Sequence, residues 1–292
     1  MKLRKICVPY EFTTESENAV QTAVAIASKT SFCTIELLYV IIHYTPGVNT
    51  GGALNIASAV SMDYGITEVG KITSVGETYV KEQFEQIRNK YSLSNVPIRF
   101  RIIHGEDGIN FADVYTQEVA DLIVYGAENV KGAEDWFLAS EADEIIRKSK
   151  TPVLIVKGEK PITSFEKIVF ASLFEDVTPE VAFTLRYWQE LLGSKLYFVK
   201  FVESDSHSQY LQAQNEMKYF AEKYSFKNYH AEAFESSDVE KGILEYANNI
   251  KADMIVVMSH KSSSSWLKSM IRSSTEQHLA NHSNLPVLVL HE

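Results

Sequence analysis

Two short stretches hold the residues best suited to handling a small polar ligand. Glu11 stands in Val8-Pro9-Tyr10-Glu11-Phe12, directly after an apolar run, and offers a carboxylate to a hydrogen-bond donor. Gly126 closes Asp121-Leu-Ile-Val-Tyr-Gly126 and opens a polar stretch that ends at Ala139-Ser140, ahead of a helical pattern. A glycine lets the backbone take positive φ and approach an anion closely, and a helix N-terminus presents free amide hydrogens to it. That combination binds ligands; it does not by itself break bonds. The same stretch carries Glu128, Glu134, Asp135 and Glu141, opposed nearby only by Lys131, so the local field is unfavourable to phosphate.

Other constellations have structural explanations. Ser140 with Asp143, and Ser273 with Glu276, read as capping boxes at helix starts. His278 and His282 lie four apart, but no third or fourth ligand follows at a recognised metal spacing, and two solvated histidines account for them. Trp136 and Trp266 occupy similar places in two long loops, where a ring either stacks on a base or staples the loop to the body, the staple being favoured. Ser262 to Ser265, with Lys261, Lys268 and Arg272, either bind an anion or form a flexible polar loop. Cys7 and Cys33 sit in apolar surroundings without the basic setting that activates a thiol. Motifs of the form G-x-S-x-G, H-E-x-x-H, G-x-x-x-x-G-K-[ST] and G-x-G-x-x-G are absent, so no enzyme signature remains.

The elements that must position these residues are written twice. Asp121-Leu-Ile-Val-Tyr-Gly126 returns as Asp253-Met-Ile-Val-Val-Met258, Thr151-Pro-Val-Leu-Ile-Val156 as Leu285-Pro-Val-Leu-Val-Leu290, and Lys90-Tyr91-Ser92 as Lys223-Tyr224-Ser225. Apolar runs alternate with segments of helical period, the signature of a parallel sheet with crossover helices. The first copy predicts strands at 5–9, 35–42, 98–104, 122–125 and 153–157; the second predicts them at 168–172, 195–202, 229–234, 254–258 and 287–291. A capping box is expected at Thr14 and Glu17, before a helix that buries Ala19, Ala23, Ile26 and Ala27. Its counterpart opens at Thr178-Pro179 and buries Val181, Leu185, Trp188 and Leu192. Pro152 and Pro286 lead the last strand of each copy, which suits an edge. The reading is α/β, with two doubly wound parallel five-stranded sheets of order 3-2-1-4-5 in domains 1–158 and 162–292, and an insert at 45–66 expected to reach over the first crevice or to contact a partner. The short link between the copies implies domains that touch.

Composition agrees. A chain of 292 residues exceeds one ordinary domain of about 100–200 residues. With 28 basic against 38 acidic residues, the formal charge of -10 excludes the cationic face that nucleic acid needs. Two cysteines make no disulfide framework, and no run is long enough to span a membrane, so a cytoplasmic protein is expected.

In such sheets ligands bind beyond the carboxyl ends of the strands where the winding reverses, which places residues 9–13 opposite residues 126–140. Carried by Val8 to Phe12, Asp121 to Gly126 and Ala139-Ser140, the chain resembles the universal stress protein family in its tandem form, over nearly its whole length. The resemblance implies an adenine nucleotide α-hydrolase-like fold, two domains about a pseudo-two-fold, and ATP phosphates held by a loop of pattern G-x2-G-x9-G-[ST] with an acid after strand 1 at the nucleoside. Mapped here, the nucleotide-contacting positions are Pro9, Glu11, Val40, Gly126, Asn129, Ala139 and Ser140. Asn129 and Ala139 replace the second and third glycines; in the second copy Leu173 replaces the acid, and Met258 or Ser259 the first glycine. The expectation is a non-catalytic stress-response protein that binds and signals, with a degenerate ATP site in domain 1 and a lost one in domain 2. Its partners would be an adenine nucleotide or another protein, with the last strands forming an intramolecular pseudo-dimer and available for a homodimer contact. The alternatives are an ATP-hydrolysing member of the same superfamily, or a thiol redox sensor through Cys7 and Cys33.

Overall fold

The computed structural model describes residues 2–42, 69–105, 109–127, 136–158, 161–175, 177–202, 207–236, 239–259 and 285–291. The first half runs β1 (Lys5–Pro9), α1 (Thr14–Ala27), β2 (Thr34–Ile42), α2 (Val69–Lys90), β3 (Ile98–Gly105), α3 (Phe111–Thr116), β4 (Leu122–Ala127), α4 (Trp136–Lys148) and β5 (Val153–Lys157). The second half repeats the alternation with β6 (Lys167–Ala171), α5 (Pro179–Leu192), β7 (Lys195–Val202), α6 (His207–Lys223), β8 (Tyr229–Glu235), α7 (Val239–Asn249), β9 (Met254–Ser259) and β10 (Val287–His291). Strands such as β4, β5 and β9 are apolar along nearly their full length because both faces of the sheet are covered.

Each half has the expected order 3-2-1-4-5, and the two halves join into one ten-stranded sheet, β3-β2-β1-β4-β5-β10-β9-β6-β7-β8. All pairings within a half are parallel, whereas β5 meets β10 antiparallel with Val287 opposite Ile155 and Leu288 opposite Leu154. The Pro-led strands are therefore edges only of their own halves; the edges of the whole sheet are β3 and β8. Two core layers extend across the seam: Leu154 and Leu288 share one, Ile155 and Val287 the other. The link between the halves is tied down, since Asn18 donates to the Gly158 carbonyl at 3.0 Å and Ile162 N donates to Thr22 Oγ1 at 3.1 Å.

The repeated aspartates act on the backbone. Asp121 accepts from the amides of Arg4 and Lys5 at 2.8 and 3.0 Å, and Asp253 accepts from Lys167 N at 2.8 Å, so each holds the start of the first strand of its half. The expected helix faces are buried in both α1 and α5. Thr178 caps α5 with Pro179 at the first helical position, as read from the sequence. For α1 the cap lies one residue earlier than Thr14: Thr13 exchanges bonds with Ser16, and Glu17 is free for another task. A helix start with two adjacent threonines leaves the sequence ambiguous between them.

Glu17 fastens α2 to α1. Its carboxylate accepts from Lys90, Tyr91 and, at 3.2 Å, Tyr10. Burial alone would raise this carboxyl, but the hydrogen bonds from Lys90 and Tyr91 overcome that and hold it below the usual range. Glu17→Gln is expected to cost about 1–2 kcal/mol at neutral pH in chemical denaturation. A depressed carboxyl stabilises the fold above its ordinary pKa and loses that contribution as pH falls through the folded value. The variant's deficit should therefore shrink in acid, and a deficit independent of pH would contradict this assignment.

Candidate functional site

The crevice at the carboxyl ends of β1 and β4 begins with a strained turn. Phe12 has φ 61, and its counterpart Phe174 after β6 has φ 66, so both halves hold a phenylalanine in the left-handed region. Such a residue costs roughly 1–2 kcal/mol. Packing offsets it: the Phe12 ring lies 5.0 Å from Tyr10, 5.2 Å from Tyr39 and 5.4 Å from Phe84, while Phe174 lies 5.3 Å from Phe220 and 5.5 Å from Phe198. Aromatic pairs of this geometry contribute about 0.5–1.5 kcal/mol each beyond their burial. With Phe12 anchored below, Glu11 is left exposed at the mouth.

Pro9, Glu11 and Gly126 do converge. Together with Thr13, Glu15, Ser16 and Tyr125 they line a cleft of about 20 Å³. That is room for a water molecule, whereas small-molecule sites occupy about 300–1,000 Å³. The cause is Gly126, which lies within β4 and not in the loop that follows. A Cβ placed there would fall 2.1 Å from the Glu15 carbonyl oxygen and 2.9 Å from Ser16 N. The glycine admits the first turn of α1 against β4, so the space it frees is already filled by backbone. The amide of Ser16 is likewise engaged, donating to Thr13 Oγ1 at 3.2 Å.

The remaining expected positions separate. Val40 lies on β2, partly buried beside Ile103, and is not among the residues that line the cleft. Asn129 lies outside the described residues. Ala139 and Ser140 lie inside α4, which starts at Trp136, so Ser140 with Asp143 does not form the helix-opening capping box expected from sequence. A polar residue three before an acid fits that pattern wherever the backbone happens to start, and here the helix begins a turn earlier. The insert at 45–66, the Trp136 side chain, and Lys261 to Ser265, Trp266, Lys268, Arg272, Ser273, Glu276, His278 and His282 also fall outside what is described.

Sequence reasoning noted Glu141 only as adverse charge; in the structure it meets Tyr125 of β4. Tyr125 donates to its Oε2 at 3.2 Å, while Oε1 is buried without a hydrogen-bond partner. Burial and the neighbouring charge of Glu11 push the Glu141 carboxyl up to about 7. Burial first, then Glu141 and Glu11, hold the phenols of Tyr115 and Tyr125 protonated well above their usual range. Among the described residues the cleft is lined by the carboxylates of Glu11 and Glu15, charges that oppose an anion.

In the second half the ladder decides between Met258 and Ser259. Ile168 pairs with Met254 and Ile6 with Leu122, which puts buried Met258 where Gly126 stands. Leu173 occupies the acid's position, 59% exposed, and Lys200 beside it is consumed by Glu175 at 3.4 Å and by Glu216. The two positions matching Glu11 and Gly126 thus hold neither an acid nor a glycine. Elsewhere, burial raises both thiols, Cys33 to about 11, as expected of inert cysteines. Among the described residues no group of three or more His, Cys, Asp or Glu is placed to hold a metal ion, and no helix is long and apolar enough to cross a membrane.

Comparison with known proteins gives a consistent picture. A sequence model of the universal stress protein family matches residues 2–157 and 190–291. The fold is similar to a universal stress protein from Archaeoglobus fulgidus at 15% identity and TM-score 0.69, covering 100% of this chain and 99% of that one. It is also similar to a functionally unknown protein from Pseudomonas aeruginosa at 15% identity and TM-score 0.59, covering 99% and 92%. The cytoplasmic domain of a prokaryotic cation chloride cotransporter is similar at 13% identity and TM-score 0.52, covering 99% and 95%. No curated protein sequence matches.

Proposed function

The chain belongs to the universal stress protein family, and from that premise we propose a cytoplasmic, non-catalytic binding and signalling protein of tandem form, with domains at 1–158 and 162–292. Its first domain keeps a degenerate adenine-nucleotide crevice at Pro9, Glu11 and Gly126, with Val40, Asn129, Ala139 and Ser140 at the positions the family would use around it; its second domain has lost the site. The observation that carries the reading is the Glu15 carbonyl packed into the space above Gly126, inside a cleft lined by Glu11 and Glu15. A site that holds phosphates by close backbone approach needs that space empty. Signalling then runs through protein partners rather than through nucleotide turnover.

Calorimetric titration of the intact protein with ATP and magnesium tests this. The expected result is an affinity weaker than about 1 mM, unchanged in Glu11→Ala, with no ATP turnover. Micromolar binding that Glu11→Ala abolishes, or measurable hydrolysis, would overturn the proposal in favour of an active nucleotide site.

A further inference from the structure

Helix α6 buries Ala213, Met217 and Phe220, and the side turned to solvent should then be polar. Instead Leu211 and Tyr219 lie there 46% and 67% exposed, one turn to either side of Asn215. With Ser208, Gln212 and Glu216 they line an open groove of about 590 Å³. The duplicated unit supplies its own control. Aligned through Lys90-Tyr91-Ser92 and Lys223-Tyr224-Ser225, the buried residues of α6 match Val80, Phe84 and Ile87 of α2, which are buried as well. The outward positions do not match: Leu211, Asn215 and Tyr219 correspond to Thr78, Glu82 and Gln86, all exposed. The same helix in the same fold needs no apolar residues on this side, so Leu211 and Tyr219 call for a covering surface and not for core packing. A small molecule is a poor occupant, because a site of this volume encloses most of its ligand and one helix face supplies a single wall. Within the groove, Gln212 donates to Glu216 at 2.9 Å and Lys200 pairs with the same carboxylate. Asn215 has no side-chain partner among the described residues.

We propose that α6 is the surface through which two copies of this chain associate, the two helices crossing antiparallel about a two-fold axis at Asn215. Rotation about that axis sets Leu211 of one copy against Tyr219 of the other at two symmetric places. It also sets each Asn215 amide against its equivalent, and an amide both donates and accepts, so it can pair with itself. Charge fixes the direction. Antiparallel, Lys218 faces Gln212, Glu216 faces Gln214 and Glu222 faces Ser208; parallel, each of the three charges would face its own like. The last strands cannot serve instead, because β5 lies between β4 and β10, and β10 between β5 and β9. Leu211, Asn215 and Tyr219 form an i, i+4, i+8 ridge, whose packing against its equivalent gives a crossing of about −50°. Contact is then confined to about two turns of each helix, short of the roughly 1,200 Å² of stable complexes, so the dimer is weak and reversible, with a Kd of about 10–100 μM.

Sedimentation velocity of the intact protein from about 2 to about 200 μM reads this association. The expected result is a shift from monomer to dimer with concentration. The double variant Leu211→Thr with Tyr219→Gln, carrying the residues of the first half, should weaken it roughly tenfold or more. Both positions are exposed, and a denaturation midpoint equal to that of the wild type checks that the variant folds. Cross-linking with a short bis-maleimide tests the geometry without that variant. Asn215→Cys should link to its own copy, since the axis passes through it, whereas Ser208→Cys, two turns away, should not; Cys7 and Cys33 are buried and give no background. A monomer at every concentration overturns the proposal, including one whose α6 binds the helix of another protein. So does a dimer that the double variant leaves intact, or one in which Ser208→Cys links as readily as Asn215→Cys. None of these readings depends on whether ATP binds in the first half.

Discussion

Valine at Gly126 is expected to destabilise the protein by roughly 4 kcal/mol or more, enough to leave little folded material. The first added carbon alone would lie 2.1 Å from the Glu15 carbonyl oxygen and 2.4 Å from its carbon, both backbone atoms of α1. No rotamer relieves that clash, so alanine should fail in the same way and only somewhat less severely. The contrast is Gly193, which has φ 72 but nothing within 4 Å of an added carbon, where alanine should cost about 1 kcal/mol from backbone strain alone. Urea denaturation of the soluble variants, or recovery of folded protein, decides the matter. A Gly126→Ala protein as stable as wild type would mean that α1 is not held against β4 as described, and would return the glycine to a purely ligand-binding role.

Aspartate at Leu288 is expected to break the molecule at its centre. Leu288 and Leu154 face each other across the antiparallel pair and are 2% and 1% exposed. A carboxylate there would sit in the shared core without a partner, a cost of roughly 4 kcal/mol or more if it stays buried. The wild type should unfold in one cooperative transition, because each core layer contains residues from both halves. In Leu288→Asp the transition should move to much lower denaturant and split, the second half melting first because its own strand carries the charge. Two well-separated transitions in the wild type would show that the seam does not couple the halves.

Much of the architecture was legible because its signals are local. Strands buried on both faces read as unbroken apolar runs such as Val153-Leu-Ile-Val156, and the helix start at Thr178-Pro179 combines a hydroxyl cap with a ring whose φ is already helical. Leu173 at the acid's position was equally plain. The errors also have local causes: adjacent threonines left the cap of α1 one residue uncertain, and a serine with an acid three residues on imitated a helix opening that the backbone makes earlier. Of the site, the convergence of Pro9, Glu11 and Gly126 followed from the winding of the sheet, whereas Thr13, Glu15 and Ser16 entered only through the approach of α1.

Sequence by itself determined that one α/β unit is written twice, that its crevice lies beyond β1 and β4, and that Leu173 stands where the first copy has Glu11. Tertiary structure alone decided that the halves fuse through β5 and β10, that the freedom of Gly126 is spent on the Glu15 backbone, and that one oxygen of Glu141 is buried without a hydrogen-bond partner. The reason is range. Periodicity and capping are exchanged between residues a few positions apart, while the distance from Gly126 to Glu15 depends on how two elements more than a hundred residues apart come to pack.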